Sequence, residues 1–165
     1  MTTITNQTEY DAFIASGNTS HTVTVTTSFP VTLSQINALN TRTTGTVTIQ
    51  LMSGTSSDIA NSVQIESGID ISGSAAILTD SHNLNQLLTI NNSISGEITL
   101  NNNTVQLSGS SSDISQALIG FDENPYGGNI ILSDNHSLIQ LASINDATTG
   151  QITLNDYNLT LSGSV

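Results

Sequence analysis

The sequence predicts an α/β fold built as a solenoid of strand–short helix repeats, with a parallel β-sheet on one side in the manner of a β-helix. Three observations predict it. A stretch recurs: Ile77-Leu78-Thr79-Asp80-Ser81-His82-Asn83-Leu84-Asn85-Gln86-Leu87-Leu88-Thr89-Ile90-Asn91 and Ile131-Leu132-Ser133-Asp134-Asn135-His136-Ser137-Leu138-Ile139-Gln140-Leu141-Ala142-Ser143-Ile144-Asn145 align without a gap, 54 residues apart, which is the signature of repeat architecture. Each copy then runs into Gly-x-Ile-Thr-Leu, at Gly96–Leu100 and Gly150–Leu154. Within each copy the apolar spacing switches from period two to the helical i, i+3 pattern, so strand and helix alternate.

The elements follow in order. Ile4 belongs to a short first strand. Tyr10, Phe13 and Ile14 share one helical face over residues 8–15, with Thr8 placed as N-cap and Gly17-Asn18 as the stop. Thr22-Val23-Thr24-Val25-Thr26-Thr27 alternates strictly and reads as a strand with one buried face. Leu33, Ile36 and Leu39 then give a second helix, and Gly45-Thr46-Val47-Thr48-Ile49 a further strand. This is a third copy of the repeat, with Leu33, Gln35, Ile36, Leu39, Asn40, Gly45 and Thr48 in matching places.

A second unit type alternates with the first. Leu51-Met52-Ser53-Gly54-Thr55-Ser56-Ser57-Asp58-Ile59 matches Leu107-Ser108-Gly109-Ser110-Ser111-Ser112-Asp113-Ile114 with one slip. A strand ends at Ser-Gly, and a helix opens with hydroxyls that cap it and an Asp in its first turn. Residues 121–128, Phe121 to Gly128, form the longest irregular stretch and are expected to be exposed. Strands following Val23, Val47, Ile77, Ile98, Ile131 and Ile152 are spaced by roughly 21 to 24 and then roughly 29 to 33 residues, a solenoid range. An all-β sandwich is the rival, but sandwiches rarely need a helical pattern between every pair of strands. The expected organisation is one repeat domain over residues 1–165, with units near 1–20, 21–45, 46–75, 76–96, 97–129 and 130–150, and an incomplete one at 151–165.

Composition limits function. Arg42 is the only Lys or Arg, thirteen residues are acidic, and the formal net charge is −12. Nucleic acid, which needs cations to neutralise phosphates, is excluded as a partner, and so is docking on anionic lipid. No stretch is apolar enough for membrane insertion. With no cysteine there is neither a disulfide framework nor a thiolate metal site. Met1-Thr2-Thr3-Ile4 shows no basic region followed by an apolar run, so no signal peptide is legible.

Candidate chemistry is sparse. His82 and His136 occupy one repeat position, each two residues after Asp80 or Asp134. Two rungs of about 4.8 Å separate them by roughly 10 Å, too far to share one ion; the turn-and-cap role is the expectation. No calcium-binding loop or tandem glycine-rich nonapeptide occurs, so no cofactor is expected. Asp122, Glu123 and Asn124 are the only calcium candidates, in a solvated loop. Neither a Gly-x-Ser-x-Gly elbow nor a Cys or Lys nucleophile is present, and no catalytic residue is assigned. Thr22-Val23-Thr24-Val25-Thr26 has the look of an ice-binding threonine row, but the pattern does not persist on the other strands.

The pattern Thr/Ser-Asp-x-His-x-Leu-x-Gln-Leu-x-x-Ile-Asn with Gly-x-Ile-Thr-Leu resembles repeats of very long bacterial cell-surface and secreted tandem-repeat proteins, and Leu-Ser-Gly-Ser-Ser-Ser-Asp-Ile resembles their alternating unit. The resemblance implies an extracellular or cell-surface structural or adhesive role. Residues 158–165 repeat the start of the second unit type. Unpaired solenoid ends seek partners, so Ile4 at one end and Leu159 and Leu161 at the other are the expected assembly contacts of a homo-oligomer that grows head to tail into filaments or a surface layer. The alternative is an adhesin segment of a longer surface protein, whose loops contact glycan or calcium.

Overall fold

The computed structural model describes the chain except Asn18, Glu66, Ser67, Asp122, Glu123, Tyr157 and residues 159–165. It is α/β, with six helices and several parallel sheets among the described residues. Three times the chain runs strand, helix, strand, helix, strand. The first pass is β1 (Thr2–Ile4), α1 (Gln7–Ala15), β2 (Val23–Val25), α2 (Leu33–Arg42) and β3 (Val47–Ile49). The second is β4 (Leu51–Gly54), α3 (Ser56–Ser62), an extra short β5 (Ile69–Asp70), β6 (Ala75–Leu78), α4 (Leu84–Asn91) and β7 (Ile98–Thr99). The third is β8 (Leu107–Gly109), α5 (Ser111–Ala117), β9 (Ile130–Leu132), α6 (Leu138–Ala147) and β10 (Ile152–Thr153).

Among the described residues the strands form three sheets, in the orders β1-β2-β3-β5, β4-β6-β7 and β8-β9-β10, so that β5 of the second pass joins the sheet of the first. Every ladder is parallel, which corrects the sandwich alternative. Antiparallel sandwich strands join through hairpins, whereas parallel neighbours need a crossover, supplied here in most cases by a helix. Ladder partners lie 21 to 24 residues apart throughout: Thr2 with Val23, Val23 with Val47, Val47 with Ile69, Leu51 with Ala75, Ala76 with Ile98, Leu107 with Ile130 and Ile130 with Ile152. The longer gaps expected from sequence therefore hold β4, β5 and β8, strands of only two to four residues.

The chain forms two compact units, residues 1–80 with 93–101 and residues 81–92 with 102–165. In the first, Ile4, Val23, Val25, Val47, Ile49, Met52 and Ala76 point inward from the strands and are fully buried. Tyr10, Phe13, Ile36, Leu39 and Ile59 are the buried large side chains of α1, α2 and α3. Each fully buried Val, Ile, Leu or Met among them contributes about 1.5–3 kcal/mol. In the second unit the buried side chains include Leu107, Ile130 and Leu132 from the strands and Leu87, Ile90, Ile114, Ala117 and Ile144 from the helices.

Local sequence explains where the helices start. α2, α4 and α6 each open with a capping box. The Gln35, Gln86 and Gln140 carboxamides each accept the cap residue's own N–H at 2.9 Å, and Thr32, Asn83 and Ser137 return the favour from their side chains. α3 and α5 are capped by Thr55 and Ser110, with Asp58 and Asp113 in the first turn. α1 opens two residues earlier than the sequence suggests. Its cap is Asn6, not Thr8, because the Asn6 carboxamide reaches the Glu9 N–H at 3.0 Å.

Candidate functional site

Two features concentrate polar chemistry: cross-links between segments distant in sequence, and the open edge of β1. The cross-links come from the repeated Asp-x-His positions. Asp80 Oδ1 accepts the Ser56 N–H at 2.6 Å. Asp134 Oδ1 accepts the Ser111 N–H at 2.7 Å, with the Ser111 hydroxyl 3.4 Å from Oδ2. Ser56 and Ser111 are the first residues of α3 and α5. Each carboxylate therefore caps a helix that lies earlier in the chain, where the free N–H groups and the helix dipole favour negative charge. Asp134→Ala should lower the unfolding free energy of the second unit by about 1–2 kcal/mol, measured by urea titration, and Asp58→Asn on the exposed first turn should cost less.

His82 lies 4% exposed. Its Nε2 stands 2.8 Å from the Tyr126 hydroxyl, which donates to the Val105 carbonyl at 2.7 Å. A phenol has one proton, and a carbonyl can only accept. The Tyr126 oxygen therefore receives the His82 Nε2–H, which assigns the tautomer. Tyr126 is fully buried, meets the His82 ring edge-on at 5.7 Å and Phe121 at 6.0 Å. Burial pushes its hydroxyl far above the ordinary tyrosine range. The stretch expected to be exposed thus carries a core residue. Its signal was an aromatic side chain in a chain with few, between Pro125 and Gly127-Gly128.

His136, at the same repeat position, is 5% exposed. Neither of its ring nitrogens has a hydrogen-bond partner among the described residues. No group of three His, Asp or Glu side chains is placed to hold a metal ion among those residues. Asn124 is exposed, while Asp122 and Glu123 lie outside the described residues.

At the other feature, β1 pairs with β2 alone among the described residues. The Thr2 N–H and Ile4 carbonyl turn toward β2, at 2.8 and 3.0 Å from Thr22 O and Thr26 N. By the pleat, the Thr3 N–H and carbonyl face the open side. The next donor on that side is occupied: the Glu9 carboxylate accepts the Thr5 N–H at 2.7 Å and the Thr5 hydroxyl at 2.8 Å. Those bonds, the hydroxyl's first, hold the Glu9 carboxyl below its usual value. Ile4 itself is fully buried, so the edge offers main chain rather than the Ile4 side chain. Leu159 and Leu161 lie outside the described residues. Outward on this sheet, Thr3, Thr24 and Thr48 stand in register and the row ends at Asp70. No family model matches this chain, and no curated protein or solved structure is significantly similar to it.

Proposed function

We propose that the chain is a structural protein whose coils wind, within each unit, as a strand–helix solenoid, and whose molecules join head to tail into filaments or a surface layer outside the cell. The constant ladder offset of 21 to 24 residues supports the winding. A coil of fixed length places each strand beside its predecessor, and the Asp80 and Asp134 caps tie coil to coil. The extracellular placement rests on the resemblance to surface tandem-repeat proteins.

One observation carries the assembly reading: the exposed Thr3 main chain at the edge of β1. Such an edge accepts another strand by β-augmentation. A proline there removes the outward donor without touching the β1–β2 ladder. Sedimentation velocity over a concentration series, without calcium, should therefore show mass rising with concentration for the parent chain and not for Thr3→Pro. A parent chain that sediments as a monomer at every concentration contradicts the proposal.

A further inference from the structure

α4 and α6 are the same helix of the repeat, and they differ in what covers them. Four positions on α4 and its entry are satisfied by the coil that carries α5. His82 holds the Tyr126 hydroxyl. Leu84 lies so close over Gly109 that a β-carbon there would strike it. Leu87 is fully buried. The Asn91 amide donates to the Gln116, Ala117 and Ile119 carbonyls at 2.9, 3.2 and 3.0 Å, closing the C-terminal end of α5. The counterparts at α6 are His136, Leu138, Leu141 and Asn145. His136 is buried with both nitrogens unpartnered, Leu138 is 38% exposed, Leu141 is half-buried, and the exposed Asn145 side chain has no hydrogen bond, all among the described residues.

We infer that this face of α6 is a socket for one more helix of the α5 class, and that a second copy of the chain fills it with its α1 coil. The inference rests on the head-to-tail reading. α1, α3 and α5 form one class, because each is followed by a glycine at positive φ: Gly17, Gly68 and Gly120. α2, α4 and α6 form the other, each opening with a capping box. The two classes alternate along the chain. Seating α1 of one molecule on α6 of another continues that alternation, and it brings main-chain carbonyls to Asn145 and a polar partner to His136. Leaving a buried imidazole without one is unfavourable, so the pairing is favoured. Thr5 precedes the α1 cap where Gly109 precedes that of α5. Leu138 must therefore turn aside from the Leu84 position, and its exposure leaves it room.

The test uses exposed residues of the full chain, so the single molecule should keep its fold. Leu138→Glu and Asn145→Ala should each raise the concentration needed for assembly, Leu138→Glu by about tenfold, with unchanged circular dichroism and melting of the dilute protein. Ile139→Glu serves as the comparison. Ile139 is 81% exposed, and its counterpart Asn85 stays exposed on α4 although α5 is in place. It should leave assembly unaltered. Assembly of Leu138→Glu at the parent concentration overturns the socket while leaving end-to-end joining intact. Equal damage from Ile139→Glu overturns it too, as a generic apolar patch. A parent chain that never assembles overturns both readings.

Discussion

Gly128→Ala should destabilise the unit of residues 81–92 and 102–165 by about 3 kcal/mol, the upper part of the range for overpacking a rigid site. A β-carbon on Gly128 would lie against the Val105 carbonyl oxygen and 2.6 Å from Tyr126 Cε1. Neither can move freely. Val105 O is the acceptor of the Tyr126 hydroxyl, and the Gly128 carbonyl in turn lies directly beneath Gly150. The same stacking recurs where Gly45 meets His21 O and Gly96 meets Ser74 O. This is the physical reason for the glycine that opens Gly-x-Ile-Thr-Leu: segments 22 to 24 residues apart approach backbone to backbone, and a side chain would separate them. Gly73→Ala is the contrast. Nothing lies within 4 Å of its added carbon, and its φ is not positive. It should change stability by about 0.5 kcal/mol or less. Urea unfolding of the three proteins checks both statements.

Tyr126→Phe should cost about 2–4 kcal/mol near neutral pH, because it strands the His82 Nε2–H and the Val105 carbonyl in the core together. The parent chain should also show an alkaline loss that the variant lacks. The folded-state value of Tyr126 is raised by burial. The folded protein therefore holds this proton more tightly than the unfolded chain. Its contribution is complete below the unfolded value, about pH 10, and falls by about 1.4 kcal/mol per pH unit above it. Tyr10 is also raised, by burial and then by Asp11, but it titrates in both proteins and cancels. Unfolding curves at pH 9, 10 and 11 should converge for parent and variant as pH rises. Parallel curves would show that the hydroxyl is not held in the core.

How much of this was legible depended on locality. The strict alternation of Thr22 to Thr27 gave β2, and Leu33, Ile36 and Leu39 gave α2, because each pattern reports on one element's own buried face. β5 was illegible, since a strand of two residues has no alternation to read. Asn6 and Thr8 are both good caps, and only the reach of Asn6 to the Glu9 N–H decides between them. The roles of Asp80, Asp134 and Tyr126 depend on what segments 21 to 44 residues away present, and no local pattern encodes that. Polar neighbours suggested that residues 121–128 face water, yet Phe121 and Tyr126 turn inward. Ile4 lies on β1, and its side chain belongs to the core.

Electron microscopy of the purified chain across a concentration series, without added calcium, tests the central claim most directly. End-to-end joining predicts filaments with a regular axial repeat, appearing as concentration rises. Single particles of one chain's size at every concentration would contradict it.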